Sequence, residues 1–287
     1  MNKVTVGQQQ TQAALELIHR FGWLTARQLI APIFQDAKCG QSLAQRLVRR
    51  MTDAKLLARR LVLPGVYGYC LTVQGATVLN ERGNIGAVST ARDSLGNPFH
   101  RAVSNWYILD RLQNGVTVRT EHEIQCGRAE IRALNGKIPD GLYFSELVEG
   151  WAWTEIEASW KPRHAREKVI AFCASALGGR ERLSLGADQY VSNIDIVFQT
   201  TQDMVPWAVE FARAQDAGEI SESVVYNTSF IYHPVSPVLV PLQEPRAFNL
   251  QYDVLPMLRK EQSLRAEALA ERNQSSRDAS LLASKCV

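Results

Sequence analysis

The residues of this chain that could do chemistry are concentrated near its middle. Asp140 follows a proline at the start of an apolar run. Glu155, Glu157 and Lys161 come later at even spacing. Alternate side chains of a β-strand share a face, so the two glutamates and the lysine would line one side of a sheet. Asp140 would come from the neighbouring strand of a hairpin.

Clustered carboxylates repel one another unless something neutralises them, and a hard divalent cation with oxygen ligands does so. The pattern therefore predicts Asp140, Glu155 and Glu157 as metal ligands. Lys161 could hold a scissile phosphate or an attacking water. The chemistry that this set indicates is metal-assisted cleavage of a phosphodiester.

The tryptophans around these acids indicate burial. Trp151, Trp153 and Trp160 lie close to them in the chain. An acid buried among large apolar side chains destabilises a fold unless it has a partner. The alternative to a metal site is an ion-pair ladder that faces solvent, for example Glu157 with Lys161.

The composition is that of an ordinary globular protein. The 287 residues are 46% hydrophobic and 21% charged, with a formal net charge of +3. This length allows two domains, or one domain with appendages. Five scattered cysteines without metal-binding spacing fit reduced thiols. The sequence also lacks the apolar core of a signal peptide and a run that could span a membrane. We expect a cytoplasmic protein with no membrane partner.

The first 95 residues follow the order of a winged helix-turn-helix domain. Three helical patterns precede two short strands joined by a Pro-Gly turn, and Thr72 is a suitable N-cap for a further helix. In such a domain the third helix enters the major groove of DNA and the hairpin contacts the flanking backbone. The predicted elements are helices at 11–21, 26–34, 41–53 and 72–82 and strands at 56–62 and 67–71.

Basic residues cluster on the third helix and the hairpin. Between residues 46 and 60, six lysines and arginines face a single acid, Asp53. Such a local excess is typical of phosphate binding, although exposed helix charge is the ordinary alternative. The candidate DNA-binding residues are Gln41, Gln45, Arg46, Arg49, Arg50, Arg59 and Arg60.

The stretch 84–98 contains glycine, serine and asparagine and predicts a linker to a second unit. Periodicity in that unit predicts a mixed α/β core in the order αβββαβ. We place domains at 1–95, 96–240 and 241–287, the last a helical and partly disordered tail. The predicted elements are helices at 100–113, 163–177, 202–217 and 254–272, strands at 116–125, 192–200 and 224–232, and the two hairpin strands between 138 and 161.

Other residues give weaker signals. The five histidines include no His-x-His pair, so the histidine cluster of common DNA-nicking relaxases is missing, and no Walker loop is present for ATP. His100 and Asn105 open the second unit and are more often structural. A basic run at 161–168 leads into a helix, where DNA phosphate or simple solvation explains it. The remaining nucleophile candidates are Tyr67, Tyr69, Tyr107 and Tyr143.

A family resemblance rests on the segment around these acids. Its motif is Pro139-Asp140-Gly141 followed by Glu155-x-Glu157-x-Ser159-x-Lys161. This motif resembles the PD-(D/E)xK nucleases, the restriction-endonuclease superfamily. With the N-terminal winged helix, residues 10–200 look most like plasmid replication-relaxation proteins and MOBC-class conjugative relaxases. One departure is that the family motif has its lysine two residues after the acid, where this chain has Glu157.

The resemblance implies a relaxase that nicks double-stranded DNA at an origin of transfer. Asp140, Glu155 and Glu157 would hold Mg²⁺ or Mn²⁺, and Lys161 would assist at the phosphate. A relaxosome accessory or coupling protein would be a further partner. Glu121 falls where related sequences tend to carry a glutamate.

Two other functions stay open. Glu157 at the lysine position favours a non-catalytic regulator of replication or transfer, with a degenerate nuclease fold that still binds DNA. The third hypothesis is a subunit that acts only with a transposase or coupling protein. The C-terminal helix and tail would either contact that partner or cap the core. Metal-dependent cleavage separates the nuclease from the regulator.

Overall fold

The structure is a computed structural model. It describes residues 3–34, 39–84, 86–129, 131, 137–146, 149–178, 184–186, 189–234 and 244–284. The fold is mixed α/β, as the sequence predicts, and the residues described form a three-stranded and a seven-stranded sheet. Among the described residues, no helix is both long enough and apolar enough to cross a membrane.

The N-terminal unit surrounds a small antiparallel sheet in the order β1-β3-β2. Leu57 of β2 pairs with Leu71 of β3, and Gly65 takes a positive φ of 74° in the turn between these strands. The elements are α1 Lys3–Phe21, β1 Trp23–Thr25, α2 Ile30–Phe34, α3 Gly40–Asp53, β2 Leu57–Leu63, β3 Val66–Leu71 and α4 Val73–Glu81.

Capping side chains explain two of these boundaries. The Thr72 hydroxyl accepts a hydrogen bond from Gly75 N at 3.0 Å, which confirms Thr72 as the N-cap of α4. The second helix is shorter than predicted, beginning at Ile30 rather than at residue 26. Thr25 and Gln28 bond each other's backbone amides across a turn, and this turn occupies the intervening residues.

A larger sheet forms the centre of the molecule, in the order β10-β9-β8-β6-β5-β4, with β7 paired to β8. Strands β6, β8 and β9 are parallel to one another, and the other neighbours are antiparallel. The elements are α5 Pro98–Gln113, β4 Val118–Thr120, α6 Glu121–Gln125, β5 Gly141–Ser145, β6 Gly150–Glu157, α7 Arg163–Leu177, β7 Ser184–Gly186, β8 Gln189–Phe198, α8 Thr201–Asp216, α9 Glu222–Tyr226, β9 Thr228–Tyr232, β10 Arg246–Asn249 and α10 Leu255–Ser284.

Two predicted strands are partly helical. The strand predicted over 116–125 is β4 followed by α6, because Thr120 and Glu123 form a capping box that starts a helix. The strand predicted over 224–232 begins only at Thr228, after α9. At the C-terminal end, β10 extends the sheet past residue 240, and α10 runs to Ser284 rather than ending at 272.

The two units share a hydrophobic core. Helix α5 packs between them, and its Asn105 side chain donates to Trp23 O at 2.9 Å. The stretch 84–98, which the sequence predicts as a linker, is packed against the N-terminal unit. Thr90 is buried there and its hydroxyl donates to Gly22 O at 2.7 Å. The two units are therefore packed against each other, and the segment between them is not a flexible linker.

Alternation along β6 divides the central sheet into two faces. Ile156 packs in the core on the α5 side, whereas Trp153 packs in the core with α7 and α8. Glu155 and Glu157 share the face of Trp153 because they lie two and four residues beyond it. Asp195 of β8 pairs with Thr154 and lies on the opposite face.

Candidate functional site

Asp140 lies where strands β5 and β6 begin to separate. Gly141 pairs with Thr154 in the hairpin, and Asp140 N donates to Thr154 O at 3.0 Å. Beyond this point the Asp140 side chain takes the place of a backbone hydrogen bond between the strands, because its Oδ2 accepts from Ile156 N at 2.8 Å. A Cβ at Gly141 would lie 2.4 Å from Cδ1 of Ile108 on α5. The glycine after Asp140 thus lets α5 approach the strand closely.

Two side chains from other elements meet Asp140. His100 lies in the first turn of α5, and its Nε2 is 3.3 Å from Asp140 Oδ2. Glu121 opens α6, directly after the end of β4. One ligand atom from each of His100, Glu121 and Asp140 lies within 4.8 Å of the other two. Three elements distant in sequence therefore bring one imidazole and two carboxylates together.

The environment of this group is half-buried and negatively charged. Burial raises the pKa of Glu121, and this outweighs the nearby charge of Arg101. Burial alone would lower the pKa of His100, but its hydrogen bond with Asp140 and the surrounding carboxylates raise it overall. Glu121 Oε2 lies 3.0 Å from Arg101 Nε without forming a well-directed hydrogen bond. Each carboxylate of the group therefore has one basic partner, Arg101 for Glu121 and His100 for Asp140.

Glu155 is buried and has two donors of its own. Its carboxylate is 2.8 Å from Lys137 Nζ and accepts from Trp153 Nε1 at 2.5 Å. Burial raises the pKa of Glu155, and the charge of Asp140 adds to the effect, while Lys137 opposes it. Lys137 lies three residues before Asp140, and no local pattern in the sequence marks it as part of the group.

Glu157 is 1% exposed and pairs with Lys161, whose Nζ lies 2.6 Å from Glu157 Oε1. Its other oxygen, Oε2, is buried without a hydrogen-bond partner among the described residues. Burial raises the pKa of Glu157 to about 7, against the effect of Lys161. The ion pair predicted as the alternative to a metal site is therefore present, but its Glu157 carboxylate is buried while Lys161 is half-exposed.

The donor set fits one divalent cation. Ligand atoms at about 2.0–2.6 Å from a metal lie within about 5 Å of each other, as those of His100, Glu121 and Asp140 do. Of the predicted ligands, Asp140 belongs to this group, whereas Glu155 and Glu157 each have a lysine partner. We call His100, Glu121, Asp140, Glu155 and Glu157 together the candidate centre.

A second carboxylate cluster occupies the other face of the sheet. Asp195 is 1% exposed and accepts from the hydroxyls of Tyr107 at 2.6 Å and Tyr143 at 2.5 Å, and from Asn193 Nδ2 at 2.6 Å. Arg111 in turn donates to the Tyr107 hydroxyl at 3.1 Å. We call these five residues the Asp195 cluster.

The four candidate tyrosines differ in exposure. Burial raises the pKa of Tyr107 and of Tyr143, and both hydroxyls are bound to Asp195. Burial also raises the pKa of Tyr69. Tyr67 is exposed under the Arg59 guanidinium, 4.4 Å from its ring centroid. Tyr107 and Tyr143 are therefore engaged on the face of the sheet opposite Glu155 and Glu157.

The predicted DNA-binding residues lie along one surface of α3 and on β2. Arg50 donates to Gly7 O and to the Thr11 hydroxyl, and Arg60 donates to Asp93 O. For Arg46 and Arg49 the described part of the chain holds no bonded partner. Six of the seven are exposed and Arg60 is half-buried: Gln41, Gln45, Arg46, Arg49, Arg50, Arg59 and Arg60.

The basic run at 161–168 is largely tied into ion pairs. Arg163 pairs with Glu167 at 3.0 Å, and Arg166 approaches Glu210 at 3.4 Å. Glu210 also accepts from Arg213 at 3.0 Å. The contact between Arg166 and Glu210 joins α7 to α8, and acidic side chains offset part of the charge of this run without a ligand.

Comparisons of the chain with models of known protein families, with curated proteins and with solved structures found no match.

Proposed function

We propose that this protein is a metal-dependent DNA endonuclease of the relaxase type, which nicks one strand at an origin on a plasmid or other mobile element. The observation that carries the proposal is the convergence of His100, Glu121 and Asp140 at the point where β5 and β6 separate. The proposed fold of the second unit is the restriction-endonuclease-like core that the motif at 139–161 resembles.

Mg²⁺ or Mn²⁺ is the proposed cofactor, and when bound it would polarise a phosphate and lower the pKa of a water. His100, Glu121 and Asp140 would hold it. Burial raises the pKa of Glu157 to about 7, and its Oε2 accepts no hydrogen bond from the described part of the chain, so Glu157 is suited to accept a proton at neutral pH. Lys161 would offset negative charge on the substrate, and Lys137 would keep Glu155 oriented.

The N-terminal unit is the proposed reader of the DNA. Its helices and three-stranded sheet follow one another as in a winged helix, and exposed arginines line α3. Phosphate contacts would fix the register, and base contacts from Gln41 and Gln45 in the major groove would give specificity. A relaxosome accessory or coupling protein is the proposed further partner.

The test is incubation of the purified protein with supercoiled plasmid that carries its native origin, in Mg²⁺ or Mn²⁺ and then in EDTA. Open circles should form only with metal. Asp140→Ala should abolish nicking, whereas Asp216→Ala, which changes an exposed aspartate on α8, should leave it unchanged. Nicking that survives in EDTA or in Asp140→Ala would overturn the metal site.

The second candidate is a DNA-binding regulator without catalysis. It is favoured by the lysine partners of Glu155 and Glu157, because an acid already paired has less need of a metal. A regulator would retard the origin DNA without cutting it. In both cases Arg46→Ala with Arg49→Ala should weaken binding and reduce the salt slope by about one per lost phosphate contact. An unchanged slope would exclude contact by these arginines.

A further inference from the structure

Trp160 stands apart from every other tryptophan of the chain. Its exposed fraction is 75%, whereas the others are 8% exposed or less. Tryptophan is the largest apolar side chain, and folding normally buries most of it. The five buried tryptophans are Trp23, Trp106, Trp151, Trp153 and Trp207.

The position of Trp160 ties it to the candidate centre. It lies in the loop 158–162, which joins the end of β6 to the start of α7. Glu157 is three residues before it and Lys161 is its immediate neighbour, and these two residues form the 2.6 Å ion pair that closes the loop. Trp160 is therefore fixed at the edge of the candidate centre while its ring faces solvent.

The charges beside Trp160 are suited to a polyanion. Arg163 keeps 58% of its side chain exposed despite its pair with Glu167, and Lys161 keeps 35% exposed. Lys168, further along α7, is exposed as well. Proteins hold single-stranded nucleic acid with exposed aromatic rings, on which bases stack, and with nearby cations along the backbone. The loop that carries Trp160 and the start of α7 offer both kinds of side chain.

We propose that Trp160 is a base-stacking residue, so that the candidate centre takes a DNA strand that is unpaired next to the cleaved phosphate. The proposal rests on the proposed function for its site and adds the class of substrate. In duplex DNA both faces of a base are covered by its neighbours, so stacking on Trp160 requires a base that has left the helix.

Fluorescence gives a direct test, because Trp160 is the exposed indole. The Asp140→Asn protein in EDTA would be titrated with a short oligothymidylate and, separately, with a duplex of equal length. The oligothymidylate should quench emission and protect the exposed indole from acrylamide. Trp160→Ala should bind it about tenfold more weakly or worse, the usual loss for one stacked base.

Two further variants separate stacking from a general effect. Trp160→Phe keeps an aromatic face and should restore most of the binding, whereas Tyr252→Ala removes an exposed ring elsewhere and should not change it. The proposal would be overturned if the Asp140→Asn protein bound the oligothymidylate equally well with and without Trp160→Ala. It would also be overturned if the duplex quenched the tryptophan emission as strongly as the oligothymidylate. Quenching by a protein partner, with none by the oligothymidylate, would overturn it too.

The outcome can be separated from that of the nicking test. If the protein binds the oligothymidylate through Trp160 but never nicks DNA, the stacking proposal holds and the nuclease proposal is wrong. If nicking depends on metal, and Trp160→Ala changes neither nicking nor binding of the substrate, the nuclease proposal holds and the stacking proposal is wrong.

Discussion

The two carboxylate clusters of the central sheet differ in how completely their oxygens are bonded. Both oxygens of Asp195 accept hydrogen bonds, from two tyrosines and an asparagine, and nothing of this carboxylate reaches solvent. In the candidate centre, Glu157 Oε2 is buried and Glu121 Oε2 is close to Arg101, and neither oxygen has a well-directed hydrogen bond from any residue that the structure describes. A saturated carboxylate holds a fold together, whereas an unsaturated one leaves room for a ligand.

Asp195→Ala should give the largest loss of stability. It would leave two buried tyrosine hydroxyls and the Asn193 amide without their acceptor. We expect this to lower the free energy of unfolding by about 3–5 kcal/mol. Urea denaturation followed by circular dichroism measures this. A loss below about 1 kcal/mol would mean that the Asp195 cluster does not stabilise the sheet.

Asp140→Asn should show the opposite pattern. The amide oxygen can still accept from Ile156 N, so stability should change by about 1 kcal/mol or less. Nicking should fall at least about a hundredfold, because a metal ligand is lost. The comparison fails if Asp140→Asn unfolds as readily as Asp195→Ala.

The register of one hairpin was predictable, and with it part of the candidate centre. The spacing of Asp140 and Glu155 predicts strands that meet near these residues, and Gly141 does pair with Thr154. His100, Glu121 and Lys137 come from other segments, so spacing within the motif could not reveal them. Long-range packing decides which helix start lies beside a strand.

The sequence contains the capping signal of α6, although the strand predicted over 116–125 extends across it. Thr120 and Glu123 have the spacing of a capping box, which places Glu121 in the first turn of a helix rather than in a strand. The Asp195 cluster had no such local signal, because Tyr107, Tyr143 and Asp195 lie on three separate elements. The Tyr107 bond depends on the docking of α5 on the sheet, and the Tyr143 bond depends on the pairing of β5 and β8 with β6.

The pH dependence of Glu157 sharpens the comparison. Its pKa is raised from 4.5 to about 7 in the folded state, so the folded state favours its neutral form. Stability from this group is fully present below pH 4.5 and is lost as pH rises through 7, by about 3 kcal/mol. Glu157→Gln should remove this loss in denaturation curves between pH 5 and pH 8, and an unchanged slope would contradict the assignment.

His233, beside the Asp195 cluster, should respond in the opposite direction. Burial lowers its pKa from 6.5 to about 4, and its ring lies edge-on to Tyr107 at 6.1 Å. Stability is therefore present above pH 6.5 and falls by about 2 kcal/mol on going to pH 5. His233→Phe keeps a ring and should reduce this acid loss. If the free energy of unfolding of His233→Phe falls with acid as steeply as that of the parent protein, another group is responsible for the acid loss.

Direct binding of metal tests the contrast between the two clusters most sharply. Mn²⁺ would be titrated by calorimetry into the parent protein, Asp140→Asn and Asp195→Asn, all without DNA. We expect one site in the parent protein, its loss in Asp140→Asn and its retention in folded Asp195→Asn. No binding by the parent protein, or equal binding by Asp140→Asn, would contradict a metal centre at the end of the hairpin.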